Sequence, residues 1–421
     1  MGVNCLLKIA EDYRVKWRFE YGIDKCVASV WGEDNRPDVP IMLGKDAIIT
    51  TQTNKHMGLE ITSDERTLPE ICNRRISAAQ NSLYAAMGIG SSSVPVSPNI
   101  LSKIYWSICI SRMTYGVEVT VFSESCINEM EHAHRQNAKL IQGLSKNVAT
   151  PAPLATLGWM SIAGYIALRK ILFLWHILYL PDGCIYKVLA HMIIKRYKMG
   201  QLELKNRRSP IIDMYERARD YRLDSMIWEC INGVTIGSLE MKKSLTKRIL
   251  WEYEKRNWRA SCIMYKNLEI YADCVKNIKM HAWWIFLKGH PSFHRSVSAV
   301  VSVLLGSQPK GIQINIGIKL CKLCDKRQPD DATHALFACD GLTPVRALHW
   351  QHVLNTMPPA MVREMADATN EKKATFILSG LGGSYIAEWT AIYASIASFV
   401  WHVYKERNSS YNKVNDEKAQ V

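Results

Sequence analysis

Apolar residues along most of this chain recur every three or four positions, the spacing that predicts amphipathic helices. The opening stretch places Leu6, Leu7, Ile9, Tyr13 and Trp17 at mostly helical spacing. The period then shortens. Residues 24–31 alternate toward a strand, and 41–62 read as two short strand-like pieces around Gly44-Lys45-Asp46 and 55–58. These first sixty residues predict a small α+β segment, too small to be a whole domain.

From Pro69 the helical period returns, with Ile71, Ile76, Ala79, Leu83 and Met87 on one side and Gly88 as a stop. Residues 88–98, rich in Gly, Ser and Pro, predict a loop. Helical patterns resume through 101–119 and then through Ile127, Met130, Glu131, His134, Ala138 and Ile141. Thr150-Pro151-Ala152-Pro153 breaks the chain before a further long pattern that ends near Leu180. Residues 343–357 and 377–405 are again helical, and the polar stretch from Glu406 predicts a disordered tail. Two apolar runs, 165–180 and 389–404, invite a membrane reading. The first carries Arg169 and Lys170, and the second is short and interrupted by hydroxyls and His402, so both predict buried or amphipathic helices.

Composition adds a charge argument. Lys and Arg number 53 against 39 Asp and Glu, which favours anionic partners such as nucleic acid. Half of that excess falls within 195–259, where sixteen bases face nine acids and Trp228, Trp251 and Trp258 are interleaved. Phosphate contact is expected from Lys195, Arg196, Lys198, Lys205, Arg207, Arg208, Lys242, Lys243, Lys247, Arg248, Lys255, Arg256 and Arg259. Trp251 and Trp258 stand seven residues apart on one helical face and are expected in the core. The twelve cysteines, with acids in the first residues where a secretory leader would be apolar, predict reduced thiols in an intracellular compartment, nucleus or cytoplasm.

One cysteine group has ligand spacing. Cys321, Cys324, His334 and Cys339 form C-x2-C-x9-H-x4-C, which offers three thiolates and an imidazole to one tetrahedral ion. A closed set of four within nineteen residues predicts structural zinc, with folding energy contributed locally.

The order of these features resembles the C-terminal portion of non-LTR retrotransposon reverse transcriptases. "LLKIAEDYRVKWRFEYGIDKC" is similar to the family's segment after its paired aspartates, and "KHMGLEIT" is similar to its primer-grip hairpin. "RISAAQNSLYAAMG" and "MTYGVEV" look like thumb segments. The run from Ile127 to Leu178 echoes the family's linker, with Leu157-Gly158-Trp159 and Trp175-His176 as anchors, and the cysteine knuckle closes a resemblance covering roughly 3–350.

The resemblance implies a mainly α chain. A palm remnant would occupy 1–66, thumb-like helices 67–150, a basic helical linker 151–310, the zinc knuckle 311–345, C-terminal helices 346–405 and the tail 406–421. It implies that Lys25 is an assisting cation and that His56, Met57, Gly58 and Leu59 form a primer-grip-like turn, although Gly22 and His56-Met57 depart from the family's usual residues. The family's magnesium-holding carboxylates lie upstream of the segment matching Leu6, so Mg is expected only with an upstream palm, and no polymerisation is expected from this chain alone. The expected partner is RNA or an RNA–DNA duplex, with no membrane; oligomeric state is left open. The competing expectation is a non-enzymatic helical adaptor or a decayed retroelement fragment.

Overall fold

Among the described residues eighteen α-helices carry most of the chain and the strands pair in four two-stranded sheets, so the fold is mainly α with a minor α+β part. The computed structural model describes residues 2–29, 40–62, 67–89, 96–202, 209–234, 237–265, 268–306, 312–315, 318–324, 328–382 and 385–419. Trp31, much of the 88–98 loop, Lys205, Arg207 and Arg208 lie outside the described residues.

The N-terminal part begins with α1 (Gly2–Trp17). The expected 24–31 strand reduces to β1 (Val27–Ala28), preceded by a single 3-10 turn, Ile23–Lys25, and paired in parallel with β4 (Ile49–Thr50). β2 (Met42–Leu43) and β3 (Asp46–Ala47) are antiparallel across a turn at Gly44, where φ is +66°. α1 lies against β2, and a Cβ on Gly44 would meet the Glu11 carboxyl at 2.9 Å, so glycine admits both the turn and the helix. The opposite face of α1 leaves Leu6, Ile9, Tyr13 and Trp17 exposed.

β5 (Thr53–His56) and β6 (Leu59–Thr62) form a four-pair hairpin, and α2 (Leu68–Met87) follows with Gly88 at its C-cap. α3 (Pro98–Ile104) and α4 (Ile110–Met113) are one helical stretch joined by a π-turn at Tyr105–Cys109. In α5 (Glu124–Ile141) every position on the predicted inner stripe is buried, Glu131 and His134 included. His134 donates from Nε2 to the Met160 carbonyl (3.1 Å) and accepts at Nδ1 from the Tyr105 hydroxyl (3.0 Å), so the buried ring is fully paired.

α6 (Ala152–Thr156) ends in the Leu157-Gly158-Trp159 turn. Gly158 has φ +74°, and a Cβ there would stand 2.8 Å from the Met280 backbone nitrogen; Leu157 bridges Met280, and Trp159 stacks on Tyr105. The turn is therefore where α6 is stitched to the segment before α13 (Ala282–Gly289). α7 (Ile162–Leu178) contains the first apolar run, and its Lys170 is buried in an ion pair with Asp213. Among the described residues no helix is long and apolar enough to cross a membrane.

The remaining helices are α8 (Ile185–Lys198), α9 (Pro210–Asp220), α10 (Asp224–Ile231), α11 (Leu239–Ile263), α12 (Glu269–Cys274), α14 (His294–Leu304), α15 (Thr343–Thr356), α16 (Pro359–Asp367), α17 (Asn370–Leu378) and α18 (Thr390–Ala419), with the hairpin β7 (Ile312–Asn315) and β8 (Ile318–Leu320) before α15. The expected disordered tail from Glu406 is corrected: α18 continues to Ala419, and Arg407 and Tyr411 are buried. Polar composition misleads there because the burial is of polar side chains.

Apolar burial falls into two clusters. The larger joins α2 to α6 with α12 to α18 and includes Cys321, Leu336 and Cys339. The smaller joins the later part of α7 to α8, α9, α10 and the first half of α11. The cysteine segment thus leans on the main core and is not a separate module.

Candidate metal centre and cationic surface

The four predicted ligands come together. Ligand atoms of Cys321, Cys324, His334 and Cys339 all lie within 4.8 Å of one another. Cys321 Sγ and Cys339 Sγ are 3.7 Å apart, and Cys324 Sγ is 3.4 Å from His334 Nε2. Tetrahedral zinc with bonds of about 2.3 Å to sulfur and about 2.0–2.1 Å to nitrogen would set such edges at roughly 3.5–3.8 Å. The residues present therefore fit a Cys3His metal centre, and the sulfur separation is far beyond a disulfide bond.

Local structure explains the convergence. β8 delivers Cys321, whose backbone N–H donates to the Gln328 carbonyl (3.0 Å). The Leu323 N–H donates to Cys321 Sγ (3.4 Å), tightening the turn between the first two cysteines. Gly341 makes room for that turn, since a Cβ there would meet the Leu323 carbonyl at 2.3 Å. His334 opens the π-turn His334–Ala338, and its backbone N–H is capped by Asp331 Oδ1 (2.7 Å). Its Nδ1 donates to Gln328 Oε1 (3.0 Å), which leaves the Nε2 lone pair directed at the cluster. The Cys339 thiol donates to Cys321 and, with His334 nearby, holds Cys321 well below the ordinary thiol range. The same contact pushes Cys339 up. One sulfur is thus held as the anion a metal ligand must be.

Sequence reading missed the outer partners: Gln328, Asp331, Gly341, and Asp330 with Arg407 and Tyr411. Arg407 and Tyr411 stand four apart, one helical turn, and that spacing was the available signal.

The predicted cations divide into three groups. Lys242 is buried, its ammonium 5.6 Å from the Trp175 ring centre, and so turns to the core instead of to phosphate. Lys243 is paired with Glu240 (3.0 Å), and Lys198 stacks on Trp228 at 4.1 Å, a contact that leaves its charge unneutralised. The others, Lys195 and Arg196 on α8 and Lys247, Arg248, Lys255, Arg256 and Arg259 on α11, make no ion pair among the described residues. Arg248, Lys255 and Arg259 share one exposed or half-exposed face of α11, spread over about 16 Å at the helical rise of ~1.5 Å per residue. Trp258 is buried and Trp251 half-buried against the main core, as their spacing predicts.

The inner side of α11 borders a cleft of about 680 Å³ whose lining includes Arg135, Tyr253, Glu254 and Asn257. Burial raises the Glu254 carboxyl pKa, while hydrogen bonds from Ser161 at the start of α7 oppose that rise.

At the N-terminus, Lys25 is exposed at the end of the 3-10 turn. His56, Met57, Gly58 and Leu59 form the hairpin tip, with Met57 at φ +49° and Gly58 at φ +81°, the left-handed pair that a two-residue hairpin turn requires. The tip is tied to the helical body by the Tyr115 hydroxyl, which donates to the Met57 carbonyl (2.8 Å). Lys25 and the hairpin tip are not joined by any hydrogen bond or ion pair among the described residues.

Comparison with protein-family models, with curated proteins and with solved structures gives no match for this chain.

Proposed function

We propose that this chain binds nucleic acid, as a segment resembling the C-terminal part of a reverse transcriptase, and that its Cys3His centre holds structural zinc. The observation that carries the binding reading is the set of unpaired cations on the outer face of α11. Charges destined only for solubility are commonly scattered among acids, whereas Arg248, Lys255 and Arg259 repeat along one face of α11; of the two acids between them, Glu252 is exposed and Glu254 lines the cleft on the inner side. RNA or an RNA–DNA duplex is the proposed ligand, gripped through phosphate by α11 and α8. The hairpin tip at His56–Leu59 is placed in the role of a primer-grip-like turn by resemblance alone. The proposal is one of binding, and no polymerase step is assigned to the chain.

A second reading, a helical adaptor, is favoured by one feature. α8 and its C-cap Met199 expose Ile185, Leu189, Met192 and Met199 along a single face, the pattern of a helix that meets another protein.

Binding of the full chain to a fluorescent hairpin RNA and to an RNA–DNA duplex, titrated against salt, separates the two readings. Each phosphate contact contributes about 0.7–0.9 to the slope of log K against log salt, so the R248Q/K255Q/R259Q variant is expected to lower the slope by about 2–3. Affinity that is unchanged between about 50 and about 300 mM salt defeats the nucleic-acid reading.

A further inference from the structure

The far end of α18 reaches the cysteine cluster from outside its ligand set. Arg407 and Asp330 form an ion pair in which both side chains are 1% exposed. The Tyr411 hydroxyl donates to the second oxygen of Asp330 (3.0 Å) and accepts from the Lys322 backbone N–H (3.2 Å), and it lies 3.9 Å from Cys321 Sγ. Lys322 belongs to the turn that presents Cys321 and Cys324, so Tyr411 grips the backbone between two ligands. Asp330 stands between Gln328, which orients the His334 ring, and Asp331, which caps the turn carrying His334. The Tyr411 hydroxyl, bonded both to the Lys322 N–H and to Asp330, therefore ties both halves of the ligand set to the helix.

We propose that the last turns of α18 are a latch, with Arg407 and Tyr411 as positioning residues, whose closure is linked to metal loading of the cluster. This rests on the reading that the cluster takes zinc and is independent of nucleic-acid binding. A buried ion pair is stable only while its geometry is held, because each charge has given up its water. Residues 321–324 and 328–339 hold that geometry on one side, and a metal bound by the four ligands would fix the two stretches to each other. With the metal removed, the loop loosens, Asp330 leaves Arg407, and the buried guanidinium draws the helix end toward solvent. The rest of the helix stays docked, since Ile392, Ile396, Phe399, Val400 and Val403 are buried in the main core well before Arg407. Linkage makes the effect reciprocal: what metal does for the latch, the latch does for metal affinity.

The test uses the full chain and zinc, with affinity read by competition against a chromophoric chelator and latch closure read by hydrogen exchange. Wild type is expected to bind one zinc, and Tyr411→Phe, which keeps the ring and removes the hydroxyl, to bind it about 10- to 100-fold more weakly. Chelation is expected to speed exchange at 405–411 and to leave 392–403 unchanged, a response that a purely structural tyrosine would not give. Equal zinc affinity in the two proteins, or exchange at 405–411 that ignores chelation, overturns the latch while leaving the metal centre standing. A wild-type chain that takes up no zinc overturns the metal reading beneath it.

Discussion

His281 caps the start of α13 in a fully buried setting. Its Nδ1 accepts from the Trp283 N–H (3.4 Å), and its Nε2 has no partner among the described residues. Burial, with the charge of Lys279 adding to it, pulls its pKa down to about 4. An unfolded histidine titrates near ~6.5, so as pH falls through that value the unfolded chain takes up a proton that the folded chain refuses. Stability from this group is complete above pH ~6.5 and is lost progressively down to about 4, a total of roughly 3 kcal/mol. His281→Asn keeps a capping acceptor and cannot titrate. The expected result is similar urea midpoints for the two proteins at pH 7.5 and a clearly higher midpoint for the variant at pH 4.5. Metal ligands also protonate in acid, but they do so in both proteins, so the difference isolates His281. Parallel losses in the two would remove His281 as the cause. Such a residue is not legible in sequence, because a buried neutral histidine and an exposed one look alike. The cluster at Cys321, Cys324, His334 and Cys339 is legible, because chelation restricts spacing.

At the scale of elements, what reads well is what burial makes periodic. α2 and α5 follow their predicted stripes, and Gly88 ends α2 as expected. The strands before residue 60 read less well: among the described residues of 24–31 the strand is Val27–Ala28, and neither of these is buried. Beyond Glu406, α18 was illegible because the buried side chains described there, Arg407 and Tyr411, are held by polar partners. The hairpin β5–β6 was read in outline, but its anchorage was not. It depends on Tyr115 reaching the Met57 carbonyl and on Gly116, where a Cβ would meet Leu59 Cδ1 at 2.4 Å. A hydrogen bond contributes about 0.5–1.5 kcal/mol, and this exposed one is expected toward the low end, equivalent to a roughly 2- to 10-fold change at most in a local opening equilibrium. Tyr115→Phe is therefore expected to speed amide exchange at 56–59 by about that factor while α4 itself is unaffected. Unchanged exchange would show that the hairpin stands without its tether.

The whole molecule raises the question of whether its two apolar clusters are two folding units. A chain of 421 residues exceeds what one core ordinarily serves, which favours division. Against that stand two helices that cross from one cluster to the other without a break. α7 gives Ile162 and Ile166 to the larger cluster and Ile171, Leu174 and Trp175 to the smaller; α11 gives Leu250 to the smaller and Trp258 and Cys262 to the larger. Cross-ties reinforce them within the smaller cluster: Lys170 to Asp213 joins α7 to α9, and the Trp175 indole donates to Thr246 Oγ1 (3.0 Å) between α7 and α11. Melting the smaller cluster would strip one flank from each shared helix, and a helix half-freed in its middle loses the packing that sustains it. Coupled unfolding is the consequence. Leu174 is wholly buried, and Leu174→Ala is expected to cost about 2–5 kcal/mol. If the clusters are coupled, that loss also lowers the protection of amides in α13 and α14, whose buried residues belong to the larger cluster. If only α8, α9 and α10 lose protection, the clusters are separate units and the shared helices merely bridge them. Hydrogen exchange on the one variant decides between these, and the continuity of α7 and α11 argues for the first.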